Sequence, residues 1–183
     1  MQFSTSFFSI VLLAIAGGVT PLPAEGTNSL DGIPEGSSDG VYLGSVKEDG
    51  TTHWEYQGDA SEALAARSNS TLGDLVKRNY VACTGYGVNA NDVAKAQTNF
   101  VSMCGSGYYF ASRSIAVVSG LGVAYGCNYG NGQTCHSGDI ASFFSQINSQ
   151  CGLQSGGPAG AGWYSANDWK ASYGRTSVGT GFC

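Results

Sequence analysis

The 183 residues carry eight Lys and Arg against thirteen Asp and Glu, a formal net charge of −5, with six cysteines and 28 glycines. So few bases exclude nucleic-acid binding by phosphate neutralisation, and no basic amphipathic helix is present to lie on a membrane. The cysteines form no paired Cys-x-x-Cys units, which speaks against a zinc site, and no cofactor or metal is expected.

Residues 1–19 read as a signal peptide: Phe7 to Val19 is apolar and small, and Ala14-Ile15-Ala16 resembles a signal-peptidase site. The run is too short for a comfortable membrane span, so stable membrane insertion is not expected. Export implies an oxidising compartment, where Cys83, Cys104, Cys127, Cys135, Cys151 and Cys183 are expected in disulfides. The sequence therefore predicts a secreted, extracellular protein.

Residues 20–78 read as an acidic pro-segment. They carry ten carboxylates and four bases, about −6, and no cysteine. Gly, Ser, Glu and Asp predominate until a late apolar patch at Val41, Tyr42, Leu43, Trp54 and Tyr56. Such a composition buries too little apolar surface to offset chain entropy, so the segment is expected to be largely disordered. Ala60 to Ala66 suits a short helix. Asn69-Ser70-Thr71 is a sequon, making Asn69 a candidate glycosylation site. Lys77-Arg78 ends the segment. The charge, cysteine and composition breaks coincide there, which makes the pair a candidate cleavage site for a kexin-type processing protease.

Residues 79–183 would then be the mature disulfide-rich domain, with three carboxylates and four bases. Two segments within it match at an offset of 47 residues: Asp92-Val93-Ala94 through Cys104-Gly105, and Asp139-Ile140-Ala141 through Cys151-Gly152. Both have helical periodicity. Val93, Ala96, Phe100, Val101 and Cys104 share one face; Ile140, Phe143, Phe144, Ile147 and Cys151 share the other. Asn91 and Ser137 are the expected caps, and Gly105 and Gly152 the expected stops. Strand-like runs surround the helices: Asn79 to Cys83, Tyr108 to Phe110, Ile115 to Ser119, Val123 to Tyr129, and Thr176 to Cys183. Gly120-Leu121-Gly122 is a hairpin signal. Val123, Tyr125 and Cys127 alternate with small residues and are expected to face the helices. A glycine-rich loop at residues 155–160 leads to Trp163-Tyr164. Ser165 and Asp168 resemble a capping box opening a short turn. The economical fold is α+β: two helices packed on one face of a mostly antiparallel sheet, stapled by disulfides. Cys104 or Cys151 bonded to Cys127, Cys83 or Cys183 is favoured over Cys104 bonded to Cys151.

Several of these features together resemble the fungal secreted effectors of the necrosis-inducing family and the killer toxins of smut fungi. They are Cys83 opening the domain, a helix ending in Cys104, the strand Ala124-Tyr125-Gly126-Cys127, a helix opening with Asp139-Ile140, and a closing segment ending in Cys183. The resemblance covers residues 79–183. It implies a small exported killer-toxin-like sandwich released from a pro-segment by a kexin-type protease, with its target on the surface of a host or competitor cell.

Catalysis is not expected. His136 is the one histidine of residues 79–183, which contain no glutamate, and the three aspartates are accounted for at helix starts. The expected function is a secreted effector or killer-type toxin acting by binding. The alternatives are a cell-wall polysaccharide-binding protein using Trp163, Tyr164, Trp169 and Tyr173 as a stacking surface, and a small secreted ribonuclease-like hydrolase built on His136.

Overall fold

In the computed structural model the described residues are 30–60, 79–153 and 158–183. The signal peptide, the 60–66 helix beyond Ala60, Asn69, and Lys77 and Arg78 lie outside them.

The two periodic segments are helices of equal length, α1 (Ala90–Cys104) and α2 (Ser137–Cys151). Each buries the expected stripe, with Val93, Ala96, Phe100 and Cys104 on the first and Ile140, Phe143, Phe144 and Ile147 on the second. The caps differ from expectation. Asn89 rather than Asn91 caps α1, its side-chain oxygen accepting from the N–H groups of Asn91 and Asp92 at 3.0 and 3.1 Å. His136 takes the cap position of α2 without a side-chain bond, and Ser137 is already helical. Asp92 is thereby freed to accept from the N–H of Leu121, tying the start of α1 to a hairpin turn.

Among the described residues nine strands accompany them: β1 (Gly40–Val46), β2 (Thr52–Gly58), β3 (Tyr80–Asn89), β4 (Tyr108–Phe110), β5 (Ser114–Ser119), β6 (Gly122–Asn128), β7 (Gln133–Cys135), β8 (Pro158–Ala166) and β9 (Ala171–Ser177). Seven form one sheet in the order β2-β1-β5-β6-β9-β8-β3, antiparallel throughout, and β4 pairs with β7 alone. The fold is α+β. Three expected boundaries shift. The glycine-rich run opens β8 at Pro158, Asn167–Trp169 is a single 3-10 turn with Ala166 at its cap position, and the closing strand ends at Ser177. Beyond it the chain leaves the sheet as a tail that pairs through Phe182 with Leu30.

The acidic segment departs most from expectation. Residues 30–60 are packed: β1 and β2 form a hairpin, and β1 lies inside the sheet between β2 and β5. Val41 and Leu43 point to the helices and Tyr42 to the other face, so the short run carries a strand's period of two. Average composition hid this, because the charged residues of 30–60 (Asp31, Glu35, Asp39, Lys47, Glu48, Asp49, Glu55 and Asp59) all lie outside β1.

The second correction concerns the faces of β6. Ala124 packs under the helices with Phe100, Ile140 and Tyr173. Val123, Tyr125 and Cys127 lie on the opposite face, with Ile33, Tyr42, Val178 and Phe182. The small residues face the helices because α1 approaches closely. A Cβ on Gly122 would sit 2.5 Å from the Asp92–Val93 peptide of α1, and one on Gly126 would sit 3.3 Å from the Phe100 ring of that helix and 2.7 Å from the Tyr173 ring of β9. The sheet is thus covered on both sides, and β5 and β6 are buried along their whole length.

The side of the sheet decides the disulfides. Cys127 is out of reach of both helices and bonds the tail residue Cys183. Cys151 bonds Cys83 on β3, one of the favoured pairings. Cys104 finds Cys135 on the short strand β7. No cysteine is free.

Candidate binding cleft

Aromatic side chains from four parts of the chain meet on the face of the sheet away from the helices. They line a cleft of about 260 Å³. Its floor is Tyr125 on β6. The ring lies flat because its partner across the ladder is Gly174, where a Cβ would come within 2.4 Å of the phenol. Phe182 of the tail stacks on Tyr125 with ring centroids 4.3 Å apart. Trp163 on β8 and Tyr86 on the edge strand β3 supply the far side.

Hydroxyl pairs stand along the rim. Tyr86 Oη lies 2.8 Å from Thr176 Oγ1, and Tyr129 Oη lies 3.0 Å from Ser172 Oγ. Each pair shares one proton between two oxygens, so each keeps capacity to accept or donate to a bound molecule. The Arg113 guanidinium covers the Tyr129 ring at 4.6 Å and donates to the carbonyls of Asn128 and Cys183. It fastens the tail that forms one wall, and the Cys127–Cys183 bond fastens it again. Burial raises the Tyr125 phenol well above its ordinary value, so the floor stays uncharged.

Among the described residues, the lining offers aromatic faces and hydroxyls, with no Asp, Glu or His side chain. Such a surface suits contact by stacking and neutral hydrogen bonds. Arg175 also borders the cleft, but its side-chain hydrogen bonds are made on the other side of the sheet. Its side chain is fully buried on the helix side, donating to Gly160 O at 2.9 Å, to Asn148 Oδ1 and to Gly152 O. There the cation closes the C-terminal end of α2. Desolvation lowers its pKa to about 10.

The four aromatics expected to form a stacking surface are separated. Tyr164 and Tyr173 are core residues on the helix side, 7% and 0% exposed. Phe143 stacks on Tyr164 at 4.2 Å and also meets Trp169. Trp163 alone points to the other face. The reason is alternation along β8: neighbouring residues of a strand cannot share a side. Sequence reasoning missed Tyr86, Tyr125, Tyr129 and Phe182. The signal was the Ala124/Gly126 pair, since small residues opposite Tyr125 mark the side a helix packs against.

His136 stands at the start of α2 with Nδ1 2.8 Å from the carbonyl of Ser106. Its ring also lies against Gly107, where a Cβ would come within 3.1 Å. Comparison of the chain with protein-family models, curated proteins and solved structures gives no match.

Proposed function

We propose that this chain is a small exported cysteine-rich effector or killer-type toxin that acts on a host or competitor cell by binding rather than catalysis. The observation that carries the reading is the cleft: aromatic and hydroxyl-lined, uncharged at its floor, and held on a sheet with three disulfides. A rigid scaffold presenting aromatic anchors loses little conformational entropy on binding. Processing at Lys77-Arg78 by a kexin-type protease, glycosylation at Asn69 and secretion belong to the same reading. The layout of residues 79–183 resembles that of necrosis-inducing effectors and smut-fungus killer toxins.

The test is to apply purified secreted protein to plant leaves and to competing fungi, and to score death or growth arrest. His136→Ala is expected to leave the effect intact. A thousand-fold loss with an unchanged melting curve would revive the hydrolase reading, since a catalytic imidazole removed from a folded enzyme costs that order of rate, about 10³ or more.

The rim hydroxyls beside Trp163 and Tyr86 favour a second reading, a wall polysaccharide as ligand. Pull-down on insoluble chitin and glucan separates the two. Retention abolished by Trp163→Ala supports the glycan, and passage through both supports a cell-surface target of other chemistry.

A further inference from the structure

The residues before the dibasic pair are built into the fold that follows it. Leu30, Ile33 and Val41 are 1%, 0% and 0% exposed. Strand β1 is hydrogen-bonded on both sides, to β2 and to β5. Without it, β5 would become an edge strand of six buried residues, Ser114–Ser119, with its backbone groups open to water or to another chain.

The contacts reach further than the sheet. Leu30 exchanges two backbone hydrogen bonds with Phe182, at 2.9 and 3.1 Å, and Gly179 N–H donates to Ile33 O at 2.7 Å. Trp54 packs on the Phe182 ring with centroids 5.3 Å apart. Asp39 accepts from the N–H of Gly120 at 2.7 Å and pairs with Lys95 at 3.8 Å. Residues 30–58 therefore hold the tail whose Phe182 forms a wall of the cleft. Yet no cysteine precedes Cys83, so no disulfide joins the segment to the rest.

We propose that the acidic segment is not discarded when Lys77-Arg78 is cut. It remains docked through β1, β2 and residues 30–33 as a non-covalent second chain of the mature protein, and it keeps the aromatic cleft formed. The interface is that of a domain core: strand pairing, fully buried aliphatic residues and an aromatic contact. A cut elsewhere in the chain removes none of them. The proposal rests on the processing reading for the cut itself, and on the cleft being the working surface.

The experiment uses the full chain, made in cells that lack a kexin-type protease so that it is secreted uncut, in two arms. In the first, purified kexin-type protease cuts it. In the second, Lys77→Ala/Arg78→Ala is combined with an inserted site for an unrelated sequence-specific endoprotease after position 78, and that enzyme makes the cut. Both products are run on size exclusion with light scattering and on a non-reducing denaturing gel. The expected result in each arm is one native species with the mass of the uncut chain, resolving into two on the gel, with activity retained. Val41→Asp, cut in the same way, is expected to lose the small fragment. Separation of the fragments under native conditions, leaving residues 79–183 monomeric and cooperatively folded, overturns the docking. Failure of the kexin-type enzyme to cut, with the second arm staying together, overturns the processing premise alone.

Discussion

Removing the disulfides one at a time separates two accounts of what they do. Sequence separations are 31 for Cys104–Cys135, 56 for Cys127–Cys183 and 68 for Cys83–Cys151. Loop-closure entropy alone gives about 3.7, about 4.2 and about 4.4 kcal/mol respectively at 25 °C, which makes the Cys83–Cys151 bond the most valuable. The native state argues the other way. Cys104 and Cys135 are both fully buried in the main core, whereas Cys83 is exposed and Cys151 half-buried. Replacing the buried pair by alanine leaves a cavity beside the helices, adding about 1–2 kcal/mol to the entropic loss. Cys104→Ala/Cys135→Ala is therefore expected to cost about 5 kcal/mol and Cys83→Ala/Cys151→Ala about 4. Urea unfolding, each variant fitted with its own slope, gives the order directly. Costs that follow loop length would refute the packing argument. A melting curve of the native protein indifferent to reductant would mean that the apolar core alone suffices.

Four further outcomes follow from the geometry. Gly174→Ala places a methyl 2.4 Å from the Tyr125 phenol, so a loss of about 1–3 kcal/mol and a changed near-UV circular dichroism are expected as the ring is lifted from the cleft floor. Arg175→Met takes the guanidinium donor from the carbonyls of Gly152 and Gly160 and leaves the Asn148 amide oxygen with Gln97 Nε2 alone; a loss of about 2–4 kcal/mol in urea unfolding is expected, and Arg175→Lys should recover only part. Burial raises the phenols of Tyr125 and Tyr173 above the ordinary tyrosine value of 10.0, the charge of Asp139 adding to the effect at Tyr173. The folded state then holds protons that the unfolded state releases, so this stability is complete below about pH 10 and is lost as pH rises beyond it; absorbance at alkaline pH should show these tyrosines ionising only with unfolding. Finally, N-terminal sequencing of secreted protein is expected to find a chain beginning at Asn79, and Lys77→Ala/Arg78→Ala to abolish it.

The helices were legible because periods of three and four placed Phe100, Ile140, Phe144 and Ile147 on one side each, and packing honoured that stripe. The Gly120-Leu121-Gly122 hairpin was legible because its turn is local chemistry, with Gly120 at φ 55°. The caps were missed by a residue or two, since Asn89 and Asn91 both suit the role and only the final geometry chooses. The face of β6 was misread for a physical reason. Alternation separates two sides without saying which meets a helix, and size alone points the larger residues at the helices. In the fold the small side faces them, and the large side is covered by the tail and by the acidic segment. That covering is invisible in the average composition of residues 20–78. A strand of seven residues, Gly40–Val46, is too short to move such an average, yet it carries Val41 into the core. The same error hid the cleft, since Phe182 lies between Tyr125 and Trp54 with its backbone paired to Leu30.

The central claim, action by binding through the cleft, is tested most directly by titrating labelled secreted protein onto intact responsive cells. Tyr86→Ala and Trp163→Ala, chosen for variants whose melting curves match the parent, are compared with His136→Ala. The account predicts saturable binding, weakened about tenfold or more by either cleft substitution and unchanged by His136→Ala, since a truncated aromatic anchor costs about 1.4 kcal/mol or more. Binding and killing untouched by both cleft substitutions, with killing abolished by His136→Ala, would contradict it.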